Sequence, residues 1–475
     1  MELEWVGGSV DLRCPVCAHT SAQRRVARID VPWRDELVDI VRCVECGAVV
    51  LGAMLPPSMY TDADWDYYIE QIAGVETIAD TLVQTGFRRG ARMLDVGCGY
   101  GFALDLARFL FDWQGIGLDP SIAAARGKAD LGLDIRPGML DDAFDPDERF
   151  DVIFSSEVIE HIADPREFLA AARRRLSPDG VLVLTTPDAD AVTPETPWTT
   201  LYPVLSVGLH EFLVNADGFE RLLRDAGFHA KVWNVGPSLR AVAAHHPGPL
   251  KSVRPEAKAA VNDLVRYCDA RAADATPGSA LALGMATRHL KWAMSENMLD
   301  RASAGLPALR RALLERYKID IDAPELVVGR SDVPAVLTII FFNLGLVRMW
   351  HERSPQRGAA CFAAAASAGA AQFERHGLYP DPETPTVEAL ARGHLALAFA
   401  RFAPERVDAV LAELEQGVER GAGNAELVAD SRARAEAELA VQRSPLKRTY
   451  RRARAIAGTA KRRLQSGFKS GFSAR

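Results

Sequence analysis

The sequence predicts an α/β chain: a doubly wound parallel sheet in the middle, a small cysteine-rich module before it and an all-α region after it. Three observations predict this. Between residues 92 and 187, short apolar runs alternate with helical patterns, as strands joined by crossover helices do. The first of those runs breaks into glycines at alternate positions. Four of the seven cysteines form two Cys-x-x-Cys pairs near the start, and past residue 250 the alternation gives way to 3.6-residue periodicity.

The cysteine-rich module, residues 1–52, comes first. Cys14-Pro15-Val16-Cys17 and Cys43-Val44-Glu45-Cys46-Gly47 are 25 residues apart, with strand-like runs at 25–29 and 38–42 between them. Two such knuckles supply four thiolates for one tetrahedral Zn²⁺, so Cys14, Cys17, Cys43 and Cys46 are expected to hold a structural zinc in a ribbon. With all four positions filled by sulfur, the site is closed and leaves no position for catalysis. The competing reading is a pair of disulfides or redox thiols. It needs an oxidising compartment or a single motif rather than two. The first knuckle carries Ala18 where the second has Gly47. Residues 53–75, which contain Pro56-Pro57 and an aromatic and acidic stretch, read as a linker or as a lid.

The central domain spans 76–246. Its first strand, Arg92-Met93-Leu94-Asp95-Val96, leads into Gly97, Gly99 and Gly101 and then a helical pattern. A strand, a Gly-rich turn and a helix in that order let a backbone approach a nucleotide-like ligand. The next strand, 115–118, ends in Asp119, the separation at which a carboxylate meets a ribose hydroxyl; a helix N-cap with Pro120 at the first helical position is compatible with that role. Further strands are expected at 133–136, 150–154 and 181–187, with a turn at Ser177-Pro178-Asp179-Gly180. A helix is expected over Asp217–Ala226, and a closing hairpin over 228–235 and 239–244.

Leu94-Asp95-Val96-Gly97-Cys98-Gly99, Phe150-Asp151-Val152-Ile153, Glu160-His161 with Asp164-Pro165, and Leu176-Ser177-Pro178-Asp179-Gly180 together resemble a class I S-adenosylmethionine-dependent methyltransferase, with a Rossmann-like sheet. The N-terminal zinc module resembles an arrangement found in sugar-modifying methyltransferases, where it contributes to the acceptor pocket. The resemblance implies S-adenosylmethionine as cofactor. It implies that Asp95 and the turn of Gly97, Gly99 and Gly101 face its methionine part, that Asp119 takes the ribose hydroxyls, and that Leu140 and Asp141 border the adenine. Met139 departs from the carboxylate often found at that position.

An acceptor that loses a proton needs a base, and His161 and His210 are the candidates. His161 lies just past the fourth strand, at the carboxyl edge where ligands of open α/β sheets bind. A helix over 157–161 would put Glu157 and His161 on one face. The alternative is that Glu160-His161 anchors the loop. His210 lies in a long insertion, rich in Pro and aromatics, of the kind that covers an acceptor.

Residues 250–440 read as helices, with a degenerate tetratricopeptide-like pair at 342–362. Pro355 and Pro404 are 49 apart, off that family's period, so the expectation is a helical hairpin array that contacts a partner or caps the enzyme. In the tail, 441–475, residues 443–475 hold eleven Lys or Arg and no Asp or Glu, leaving the other 442 residues at −18 of a net −7. Such a tail is amphipathic and membrane-touching, or disordered. An acidic body argues against a general nucleic-acid binder. No apolar run reaches the ~20 residues of a membrane span, and no secretory pattern opens the chain. The expected location is therefore cytoplasmic, peripheral at the inner membrane face. The expected function is methyl transfer to a sugar, either a nucleotide sugar or a lipid-linked glycan. A protein or RNA methyltransferase and a non-catalytic scaffold are the alternatives.

Overall fold

The computed structural model describes residues 3–31, 37–51, 62–71, 74–138, 140, 144–145, 147–377, 379, 381 and 383–443. It divides into two compact units: Met1–Glu296 with Ala304–Lys318, and Asn297–Ser303 with Ile319–Arg475.

The first unit opens with an antiparallel ribbon: β1 (Leu3–Trp5), β2 (Ser9–Asp11), β3 (Ala22–Ile29), β4 (Val38–Arg42) and β5 (Val49–Val50). Ala27, Ile29, Ile40, Val49 and Leu51 fill its core. Helices α1 (Asp62–Gln71) and α2 (Val75–Gln84) follow. Within the expected linker, α1 is a docked helix. Arg126 and Arg316 pair with Asp66 at 2.5 and 2.8 Å, and Tyr317 donates to Glu70 at 2.7 Å. Residues 52–61 and 72–73 lie outside the described set.

The central sheet is built from β6 (Arg92–Val96), α3 (Phe102–Phe111), β7 (Gln114–Leu118), α4 (Ile122–Leu131), β8 (Asp134–Arg136), β9 (Phe150–Ser156), α5 (Pro165–Arg175), β10 (Leu176–Pro187), α6 (Trp198–Leu205), β11 (Phe212–Leu213), α7 (Ala216–Asp225), β12 (His229–Val235) and β13 (Ser238–Ala244). Its order is β12-β13-β10-β9-β6-β7-β8. The strands β10-β9-β6-β7-β8 are parallel, and the β12–β13 hairpin closes the edge antiparallel. Val152 and Ile153 of β9 and Val181 to Leu184 of β10 are fully buried. They are covered on both faces, which is why they read as unbroken apolar runs. The expected turn at 177–180 is instead an irregular stretch of β10, whose register on β9 shifts between Leu176 and Val181.

β11 does not join this sheet. It pairs antiparallel with β5, Phe212 opposite Val50 and Leu213 opposite Val49, so the insertion after β10 supplies the last strand of the ribbon sheet. Arg42 fastens the same junction by donating to the carbonyls of Ala189 (2.9 Å) and Val192 (3.2 Å).

Two further helices, α8 (Val261–Asp274) and α9 (Ala280–Ser295), lie in the first unit, and α10 (Leu299–Tyr317) is divided, with residues 304–317 in the first unit and its opening residues in the second. On α3, the fully buried Asp105 accepts from Tyr267 Oη at 2.9 Å and pairs with Arg271 Nε at 2.5 Å. The second unit holds α11 (Val336–Leu346), α12 (Pro355–His376), α13 (Glu383–Phe402), α14 (Val407–Glu419) and α15 (Ala425–Arg443) around Phe362, Leu395, Phe399, Leu411 and Leu414. A π-helical turn, Val347–His351, extends α11. The basic residues past 443 lie outside the described set. No described helix is long and apolar enough to cross a membrane.

Candidate functional site

Three groups of predicted residues can be placed. The first is the cysteine cluster. The four sulfurs lie within 4.8 Å of one another, with Cys14–Cys46 and Cys17–Cys43 each at 3.6 Å. A Zn–S bond of ~2.3 Å sets tetrahedral sulfur–sulfur edges of about 3.8 Å, and all four cysteines are unbridged. The two knuckles share one hydrogen-bond pattern. Cys14 N donates to His19 O and Ala18 N to Cys14 O, as Cys43 N does to Ala48 O and Gly47 N to Cys43 O. The donor set fits a tetrahedral thiophilic ion.

The second group is the glycine turn after β6. Gly97, Gly99 and Gly101 all have positive φ (72°, 51° and 90°). A Cβ on Gly97 would stand 2.4 Å from Val158 Cγ2, so the turn packs directly against the loop after β9. Asp119 reaches the turn from β7. Its Oδ2 accepts from Gly99 N at 2.8 Å and its Oδ1 from Ser121 N at 2.7 Å. Asp119 is therefore not the N-cap of α4. That position is held by Ser121, whose hydroxyl accepts from Ala124 N, so α4 begins two residues later than the Asp-Pro pair suggested.

Asp95 is 2% exposed and its Oδ2 has no hydrogen-bond partner. Burial, then the neighbouring Asp119, push its carboxyl well above the ordinary range. A buried carboxylate with an orphaned oxygen at the edge of such a turn fits a ligand that brings positive charge. Leu140 is buried; Asp141 and Met139 lie outside the described residues.

Sequence reasoning missed two residues here. Gly127, on α4, faces the turn so closely that a Cβ would lie 1.8 Å from Tyr100 O. Tyr68, on α1, is half-buried beside Asp95, Asp119 and Cys98, which, after desolvation, raise its phenol to about 12. A glycine inside a helical pattern and an aromatic in a connector are ordinary locally; only tertiary contact marks them.

The third group is the pair of histidines, which the structure brings together from the loop after β9 and the insertion. Their rings are 4.8 Å apart and nearly perpendicular. The expected helix over 157–161 is absent. Glu157 has a positive φ (54°), and only Ile159–His161 forms a 3₁₀ turn. β9 continues to Ser156, where it holds Glu157 by hydrogen bonds to Thr185. Thr185 Oγ1 donates to Glu157 Oε1 at 2.8 Å. The carboxylate beside the histidines is Glu160 instead. It is fully buried, with Oε1 3.8 Å from His161 Nε2 and 3.9 Å from His210 Nε2. Burial, then Glu157, raise the Glu160 carboxyl well above the usual range. Burial lowers both imidazoles, His210 to about 4 with His161 adding to the effect. The backbone of Glu211 bridges ribbon and site: its N–H donates to Glu160 O and its carbonyl accepts from Leu51 N.

Residues 68–231 match the methyltransferase domain family. Over that segment the chain is similar to a methyltransferase domain. The ubiquinone biosynthesis O-methyltransferase of Cereibacter sphaeroides is 40% identical over 140 residues, covering 28% of this chain and 56% of the relative. That of Rhodopseudomonas palustris is 43% identical over 103 residues, covering 20% and 40%. The chain thus spans about half the length of the curated relatives it matches. A solved O-methyltransferase family protein from Burkholderia thailandensis shares 21% identity over 39% of this chain and 60% of its own, with a TM-score of 0.33.

Proposed function

We propose that this protein transfers a methyl group from S-adenosylmethionine to a hydroxyl of a sugar. The observation that carries the transfer reading is the buried, orphaned oxygen of Asp95 beside a turn that Asp119 closes. When bound, the cofactor would supply a methyl group on a sulfonium for an acceptor oxygen. Asp95 would face its positive charge, Asp119 its ribose hydroxyls, and Leu140 and Asp141 would be its adenine-side residues. Glu160, His161 and His210, gathered on the loop whose Val158 packs against Gly97 and on the insertion, would handle the proton that the acceptor hydroxyl gives up.

The sugar reading draws support from a cavity of about 860 Å³ between the ribbon and the loop after β10. Trp5, Arg24, Arg42, Asp190, Thr193 and Glu195 are among its lining residues. An indole among charged hydrogen-bonding groups suits a polar ring. The names of the relatives favour a second reading, methylation of a phenolic hydroxyl on a quinone precursor. The cysteine cluster is assigned to structural zinc, the second helical unit to contact with a protein partner, and the basic tail to an anionic membrane surface at the cytoplasmic face.

The test is transfer of labelled methyl from S-adenosylmethionine into cell extract fractionated into nucleotide sugars, lipid-linked glycans, lipid phenols, protein and RNA, with Gly99→Arg as control. Label in a sugar fraction, lost in the control, supports the proposal. Label in lipid phenols, protein or RNA overturns the sugar acceptor. Absence of label anywhere from protein that binds the cofactor favours a scaffold.

A further inference from the structure

We propose that Glu160, His161 and His210 bind a divalent metal cation, separate from the cysteine cluster. The argument begins with the tautomers. His161 Nδ1 lies 2.8 Å from Leu209 O and His210 Nδ1 lies 2.9 Å from Val204 O. A carbonyl only accepts, so each Nδ1 carries the proton and each Nε2 presents a lone pair. Both Nε2 atoms lie near the same atom, Glu160 Oε1, at 3.8 and 3.9 Å. Glu160 is fully buried, and neither of its carboxylate oxygens meets a donor in hydrogen-bonding geometry.

Three acceptors therefore converge without a hydrogen between them. A buried carboxylate left in that state is costly. A proton on Glu160 removes its charge but leaves both imidazole nitrogens beside it unsatisfied, since 3.8–3.9 Å is too long for a hydrogen bond. A cation satisfies all three. Metal–nitrogen bonds of ~2.0–2.1 Å place neighbouring ligand atoms about 3.0–3.4 Å apart, so binding closes each nitrogen–oxygen distance by about 0.4–0.9 Å. The backbone carbonyls on both Nδ1 atoms are the outer partners that metal-bound histidines characteristically have.

Two imidazoles and one carboxylate suit a transition-metal dication such as Zn²⁺, Fe²⁺, Co²⁺ or Mn²⁺, and three protein ligands leave open positions. A cation there polarises a hydroxyl that binds to it and favours loss of its proton, the work otherwise assigned to a histidine base. That role rests on the methyltransferase reading; binding of the cation does not.

The test titrates full-length protein, freed of loosely held metal with EDTA, with Mn²⁺ followed by electron paramagnetic resonance and with Co²⁺ followed by visible absorption. One equivalent of either cation is expected beyond any metal retained by the cysteines. Glu160→Gln and His161→Gln should each weaken it at least 10-fold while unfolding cooperatively and binding S-adenosylmethionine like the parent. His161 is the more solvent-exposed ligand, so its variant keeps the test open if Glu160→Gln fails to fold. Absence of a stoichiometric site for both cations, or unchanged affinity in the folded variants, overturns the proposal. Cation binding without methyl transfer to any fraction leaves the site standing and removes the methyltransferase reading.

Discussion

Ala18 and Gly47 occupy equivalent places in the two cysteine knuckles. Both are left-handed, with φ of 61° and 74°, and each donates its N–H to the carbonyl of the first cysteine of its pair. Left-handed backbone strains an L-residue and is free to glycine. Ala18→Gly should therefore stabilise the first unit by about 0.5–1 kcal/mol, the relief of strain less the extra chain entropy of glycine. Gly47→Ala should do the reverse and more, because its Cβ would also stand 2.7 Å from Asn215 Nδ2 at the cap of α7. Denaturant midpoints of both variants check the pair; equal shifts would show that the knuckles are not under this constraint.

Elemental analysis should find one zinc per chain on the cysteines, lost in Cys43→Ser. The ribbon sheet ends in β11, and Leu51 reaches Glu160 through Glu211, so loss of that zinc should also displace His210. Loss of the zinc should leave S-adenosylmethionine affinity within a few-fold and abolish the Mn²⁺ site. Retention of that site in the zinc-free variant would show that the ribbon does not support the loop.

What the sequence displays and what it conceals follow from the range of the interactions. Val181 to Leu184 and Phe150 to Phe154 are legible as strands because burial on both faces leaves only apolar residues. Asp119 is legible because its distance from the glycine turn is a property of one βαβ unit. In the sequence Glu160 reads only as half of a Glu-His dipeptide that belongs to the methyltransferase motif or anchors a loop. Its partner His210 arrives from a separate insertion, and no local pattern joins them. β11 has two residues and no periodicity; it exists because β5 offers an unpaired edge.

Gly127 carries a prediction of the same kind. Gly127→Ala would drive a Cβ to within 1.8 Å of Tyr100 O, a backbone atom of the cofactor turn that cannot rotate aside. Overpacking of this type costs about 1–3 kcal/mol. Because α4 must then move from the turn, S-adenosylmethionine affinity should fall at least 10-fold. Calorimetric titration with the cofactor checks it; a stable variant with unchanged affinity would mean that α4 shifts without disturbing the turn.

The buried ion pair on α3 tests whether α8 belongs to the catalytic unit. Asp105 is fully buried and holds both Arg271 and Tyr267. Removing one partner of such a pair leaves the other charge unmet, at a cost of about 3 kcal/mol. Asp105→Asn should lower the thermal midpoint of the first unit accordingly, and Arg271→Leu combined with Asp105→Leu should recover much of the loss. A double variant no better than the single one would place the cost in packing rather than charge.

Asp95 makes stability depend on pH in a direction opposite to that of most carboxylates. Its folded-state pKa is raised, by burial first and Asp119 second, so between the unfolded value of ~3.9 and the folded value the native state binds more protons than the unfolded one. Stability without cofactor is fully favoured by this group below the unfolded pKa and is lost as pH rises through the folded one. Asp95→Asn should therefore raise the thermal midpoint of the cofactor-free protein at neutral pH, and the gain should shrink as pH falls toward 4. The same variant should weaken S-adenosylmethionine binding, because the cofactor's positive charge then meets no carboxylate. Melting curves across that pH range, with and without cofactor, separate the two effects. A variant less stable than the parent at neutral pH, with no change of difference on acidification, would show that Asp95 is already satisfied without a ligand.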